Sequence, residues 1–90
     1  MNPASRPKFG KGVKLRREPD GTAMLLVPEG ALMLNGAAAA TLELVDGQRT
    51  LDDIIAVIVE RFEVERSQAR ADVCELIDRL SERRLIEPVS

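Results

Sequence analysis

Histidine, tryptophan and tyrosine are all absent from the 90 residues, and Cys74 is the only cysteine. No disulfide can close within one chain, and the usual zinc ligands are missing. Histidine is the commonest general acid or base near neutral pH, so most catalytic constellations have no means to form. Cys74 has no histidine to activate it and falls on an apolar helical stripe, which reads as a buried, inert thiol. The chain is therefore expected to be no enzyme, with no catalytic residue, metal site or cofactor. Long apolar runs are lacking too. The longest aliphatic run, Ile54 to Val59, is six residues, against the roughly 20 that a membrane-spanning helix needs. Nothing near the first residues has the apolar length of a signal peptide, so the expected location is cytoplasmic and away from membranes.

What is present is a globular composition. A hydrophobic fraction of 44% with 31% charged residues is too apolar for a disordered chain. Ninety residues fill one modest core, so a ligand belongs on its surface and not in an internal cavity. Charge is unevenly spread. Met1 to Arg17 carries six bases and no acid, and Glu18 to Ser90 carries seven bases and fifteen acids. A basic arm precedes an acidic body, which suggests either an anionic partner or a strand with its lysines turned outward.

Residues 1–12 contain Pro3, Pro7, Gly10 and Gly12 and read as a loose, flexible lead-in anchored only by Phe9. The folded domain is expected over 13–90. Val13 and Leu15 alternate with Lys14 and Arg16 as a half-buried strand. Pro19, Asp20 and Gly21 supply a hairpin turn, and Thr22 to Val27 returns as the second strand. Pro28 interrupts the ladder before a third strand, Ala31 to Leu34.

Asn35 is a helix N-cap, and Gly36 to Val45 predicts a short alanine-rich helix stopped by Asp46 and Gly47. Thr50 with Asp53 makes a capping box for a second helix. Its apolar positions Leu51, Ile54, Ile55, Ile58, Val59 and Phe62 recur at spacings of three and four. Glu63 to Arg66 reads as a connector and Ser67 as the N-cap of a third helix ending near Arg84. That helix carries Ala69, Val73, Leu76, Ile77 and Leu80 on one stripe, with Glu75 and Arg79 spaced to pair. Leu85 and Ile86 before Pro88 suggest a last extended piece. The expected class is α+β: a three-stranded antiparallel sheet followed by a three-helix bundle, in the order of a winged helix-turn-helix.

Two functional readings compete on these residues alone. A helix-turn-helix places its second helix in the major groove of DNA, but Ser67 to Arg84 holds four bases and four acids, and acids there would repel phosphates. The other reading starts from the sheet. A small open sheet leaves edge N–H and C=O groups unpaired, which invites an added strand from a peptide or from a second copy of the chain. A peptide binder, a DNA-binding winged helix and a dimerisation module thus stay open.

Pro28-Glu29-Gly30, Leu34-Asn35, the alanine run before Leu42, Asp46-Gly47 and Asp72-Val73, together with Gly12-Val13-Lys14-Leu15-Arg16, form one motif string. In this order and spacing the string resembles the pyrroloquinoline quinone (PQQ) biosynthesis protein D (PqqD) family, from about Phe9 to Ile86. Gly36 departs from it, standing where a bulkier helix former is expected. The resemblance implies a winged-helix peptide chaperone, a recognition element for ribosomally made and post-translationally modified peptides (RiPPs); the open strand edge leaves monomer or homodimer as the expected state. It implies as partners the precursor peptide PqqA and the radical S-adenosylmethionine (SAM) enzyme PqqE, which crosslinks a Glu and a Tyr of that peptide; the acids on the third helix leave no nucleic acid among the expected partners.

It further implies that the peptide lies as an added strand against the third strand, with the third helix as the other wall. Carried to this sequence, the peptide-binding residues are Ala31, Leu32, Met33 and Leu34 with Asp72, Val73, Glu75, Leu76 and Arg79. If Leu32 and Leu34 face the core, Ala31 and Met33 face away. Val73 and Leu76 are shared with core packing, and Asp72, Glu75 and Arg79 flank the groove.

Overall fold

The structure is a computed structural model and describes residues 1–89. In chain order it contains β1 (Pro7–Phe9), β2 (Lys14–Arg17), β3 (Ala23–Val27), β4 (Gly30–Leu34), α1 (Gly36–Glu43), α2 (Leu51–Phe62), α3 (Arg66–Glu82) and β5 (Ile86–Pro88). The fold is α+β with antiparallel pairing throughout. One sheet has the order β2-β3-β4, and a separate two-stranded ribbon joins β1 to β5.

Alternation along β3 sets the core face of the larger sheet. Ala23, Leu25 and Val27 are buried, and Met24 and Leu26 between them are only half-buried. Leu32 and Leu34 of β4 pack against the same core. The helices cover that face with Leu42 of α1, Leu51, Ile54 and Ile55 of α2 and Ile77 of α3, all fully buried. Each such side chain contributes on the order of 1.5–3 kcal/mol by leaving water. The molecule is only 19 Å deep along its shortest axis, about one sheet plus one helix layer. The outer face of the sheet is uncovered.

The capping box of α2 forms as its sequence requires: Asp53 N donates to Thr50 Oγ1 at 3.0 Å, and Thr50 N donates to Asp53 Oδ2 at 3.0 Å. The remaining free amides at this helix start are satisfied from far away. Leu51 N donates to the Ser5 carbonyl at 2.8 Å and Asp52 N to that of Pro3 at 3.0 Å. The residues expected as a loose lead-in are therefore docked, and Pro7–Phe9 is a strand. The ribbon tolerates its prolines because Val89 N donates to the Arg6 carbonyl and Gly10 N to that of Leu85. Counting inward from those bonded pairs, Pro7 and Pro88 face each other at a position needing no ladder hydrogen bond.

Two helix boundaries differ from expectation. The first helix stops at Glu43, with Leu44 as its C-cap. The third begins at Arg66, with Glu65 as N-cap and no side-chain cap bond, so Ser67 lies inside it. Glu63 adopts a left-handed φ of 51°, which turns the chain within the short connector and lets α3 start early. At Gly36 an added Cβ would meet nothing within 4 Å, so the departure from the family pattern has no packing cause here.

Asp20, Asp46 and Asp53 all have pKa values below the usual aspartate value of 3.8. The leading causes are backbone N–H donors: Thr22 to Asp20, Arg49 and then Gln48 to Asp46, and Thr50 to Asp53. A carboxylate whose pKa is lowered by folding adds stability above its unfolded pKa and loses that contribution as pH falls through the folded value. The melting temperature should therefore drop below about pH 4. A variant with all three changed to Asn should show a visibly shallower acid limb in a circular-dichroism melt series. Parallel limbs would remove these turns as its cause.

Candidate functional site

The β2-β3-β4 sheet has two outer edges, and they differ in chemistry. The β2 edge carries Lys14, Arg16 and Arg17 within four residues, the charged protection typical of an edge kept from pairing. β4 carries no charge between Gly30 and Leu34. Its other neighbour position is empty among the described residues, because the C-terminal strand pairs with β1 in the separate ribbon.

The register identifies which β4 groups are free. Pro28 and Glu29 form a two-residue loop closed by the Val27–Gly30 pair, so Gly30, Leu32 and Leu34 bond inward to Val27, Leu25 and Ala23. Pairing on the far side of β3 has matching parity. Glu18 N donates to the Thr22 carbonyl at 2.9 Å, which makes Arg16–Met24 and Lys14–Leu26 the bonded pairs there. Ala31 and Met33 are left with both N–H and C=O pointing away from β3. Met33 is also the most exposed large apolar residue, at 72%.

Where β4 runs into α1, an open groove of about 370 Å³ begins. Ala37, Ala38 and Thr41 of α1 form one wall, and Ile58, Phe62 and Val64 the floor. The opposite wall is α3, with Ala69, Asp72, Val73, Glu75, Leu76 and Arg79. All five α3 residues singled out from the sequence thus line one groove. Val73 is buried in the core with only its surface contributing, and Leu76 is half-buried. The β4 residues Ala31, Leu32, Met33 and Leu34 lie along the free edge and not in the groove lining.

Asn35 joins the two parts. Its Oδ1 accepts from Ala38 N at 2.8 Å, which starts α1 beside the end of β4. The groove's charged rim is local to α3. Arg79 donates to Glu75 Oε1 at 2.8 Å, and Asp72 Oδ1 accepts from the Gln68 amide at 2.9 Å. Among the described residues, no cluster of three acidic, cysteine or histidine side chains could hold a metal ion. Among them, too, no helix is long and apolar enough to cross a membrane.

The α1 wall and the floor were not anticipated. Phe62 reads as the last core position of the α2 stripe, yet it is 40% exposed, and Val64 is 37% exposed. An apolar residue within the charged stretch Glu63 to Arg66 was the one available signal.

An uncharged strand edge beside an apolar groove is the architecture of a peptide-recognition module. The sequence pattern of the family described as Coenzyme PQQ synthesis protein D (PqqD) matches residues 22–86, and the chain belongs to that family. A relative from Rhizobium meliloti (strain 1021), the PqqA binding protein, is 36% identical over 83 residues, covering 91% of this chain and 85% of the relative. A solution NMR structure of the PqqD truncation of Methylobacterium extorquens PqqCD matches with a TM-score of 0.75 and 28% identity. It covers 97% of this chain and 99% of that one, and is described as a functional, stand-alone RiPP recognition element. TbiB1 in complex with the TbiA(β) leader peptide shares the fold, with a TM-score of 0.76, 18% identity and coverage of 92% and 98% of the two chains.

Proposed function

We propose that this protein is a peptide chaperone of PQQ biosynthesis that binds the precursor peptide PqqA by strand addition and presents it to the radical SAM enzyme PqqE. The observation that carries the reading is the uncharged, unpaired edge of β4 beside the groove, in a member of the PqqD family. PqqA pairs with the backbone of Ala31 to Leu34. Its inward side chains lie against Val73 and Leu76, between the polar rim residues Asp72, Glu75 and Arg79. The protein performs no chemistry itself, needs no cofactor and works in the cytoplasm as a monomer or homodimer. Residues 13–90 serve as the peptide-binding domain, with 1–12 docked against it through β1 and the start of α2. We read the architecture as a winged helix-turn-helix in which α2 and α3 are the helix pair.

Charge favours a peptide over DNA. Arg66 and Arg70 near the start of α3 lie within 3.2 Å and 3.5 Å of Asp52 on α2, and Arg79 is engaged by Glu75. Each cation between Arg66 and Glu82 is thus paired among the described residues.

An amide NMR titration with PqqA tests the assignment. Shifts are expected in residues 30–34 and 69–80, and affinity should change little with salt, unlike the steep loss that counterion release imposes on DNA binding. Arg70→Glu should bind PqqA within about twofold of the parent, as expected for a surface ion pair remote from the guest. Shifts centred on β2, or a large loss at Arg70→Glu, would move the site elsewhere.

A further inference from the structure

The β4 register constrains the guest peptide as well as its location. Residues directly opposite one another in a sheet place their side chains on the same face. Guest residues opposite Leu32 and Leu34 therefore turn toward the core side, where the groove opens. Those opposite Ala31 and Met33 turn to the outer face, beside Met24, which pairs with Met33, and Leu26, which pairs with Ala31. The groove reads every second residue of the guest.

Much of what the inward side chains meet is hydrocarbon from Phe62, Val64 and Leu76. The charges lining the groove do not balance. Among the described residues Arg79 is its one cation, held by Glu75 at 2.8 Å. Asp72 has only the neutral Gln68 amide as a partner. The nearby cations are engaged elsewhere: Arg66 and Arg70 with Asp52, and Arg61 with Glu43. One carboxylate in the groove thus has no cation of its own, beside apolar walls that a guest strand would desolvate further.

We propose that Asp72 is a specificity-determining residue that selects a guest segment carrying Lys or Arg at one groove-facing position, two residues from an apolar groove-facing side chain. The proposal rests on the strand-addition reading above. Complementarity of this kind discriminates chiefly by penalising the wrong charge, because a guest carboxylate at that position would face Asp72 in a drying groove.

A charge-swap titration decides it. PqqA and a set of PqqA peptides with each Lys or Arg changed in turn to Glu are titrated calorimetrically into the parent protein, Asp72→Asn and Asp72→Lys. Asp72→Asn should weaken PqqA roughly fivefold. One charge-reversed peptide should bind the parent at least about tenfold more weakly and regain most of that loss on Asp72→Lys alone. Asp72 is exposed on α3, and an unchanged helical spectrum confirms that folding is intact. Parental affinity in both Asp72 variants, or no peptide restored by Asp72→Lys, would overturn the proposal and leave strand addition standing. Failure of the strand-addition reading itself would appear separately, as undiminished PqqA binding when the β4 edge is blocked at Met33.

Discussion

Met33→Pro is expected to abolish measurable PqqA binding while leaving the fold intact. Proline in a strand is tolerated only where its missing N–H is not part of the ladder. Met33 faces Met24 in a pair that exchanges no ladder hydrogen bonds, so its N–H points to the free edge. Its side chain is 72% exposed, so little packing is lost. Leu32 before it is already extended in β4, the conformation that a following proline favours. The guest loses one of the two amide donors on the edge, and the pyrrolidine ring stands where its backbone must approach. A lost hydrogen bond alone is worth about 0.5–1.5 kcal/mol, and the steric block should raise the affinity loss to at least about thirtyfold. Leu32→Pro is the contrasting variant. Its N–H bonds inward to Leu25, so that change should unravel the β3–β4 hairpin. Calorimetry with PqqA, paired with circular dichroism on both variants, checks the prediction. Unchanged affinity at Met33→Pro would refute docking on this edge.

The site was legible where local pattern and geometry coincide. The Thr50–Asp53 capping box, the alternation through Ala31 to Leu34 and the spacing of Glu75 and Arg79 all encode their geometry within a few residues. The α3 residues line the groove because a stripe at spacings of three and four necessarily shares one helix face. What stayed hidden depends on distant partners. Pro7–Phe9 carries no strand signal, since a proline opens it and its mate Ile86–Pro88 ends in another. Only the meeting of the two ends of the chain makes them a ribbon. Phe62 and Val64 were hidden for a related reason. Whether the end of an apolar stripe is buried or exposed depends on what the rest of the chain packs over it, and here Phe62 and Val64 open onto the groove they share with Ala37, Ala38 and Thr41 of α1.

Gly10→Ala should be strongly destabilising. A Cβ at Gly10 would lie 2.6 Å from the Arg84 carbonyl oxygen and 3.4 Å from that of Leu85, and both are backbone atoms that cannot rotate away. Glycine is required here for close approach of two backbones, which matters more than conformational freedom. Relief demands that β1 and β5 separate. This breaks the 2.8 Å bond from Gly10 N to Leu85 O and shifts Leu85 and Ile86, which are core residues. An overpacked, backbone-limited contact of this kind costs about 2–4 kcal/mol. For a domain of this size that lowers Tm by roughly 10–20 °C. The strain is also transmitted toward the groove. β5 leaves directly from the C-terminal end of α3, and Leu85 N donates to the Leu80 carbonyl at 2.9 Å, so opening the ribbon loosens the base of the helix that forms the peptide wall. A thermal melt of Gly10→Ala measures the first effect, and a PqqA titration well below its Tm measures the second. A Tm within a few degrees of the parent would show that the two chain ends yield without cost and do not brace α3.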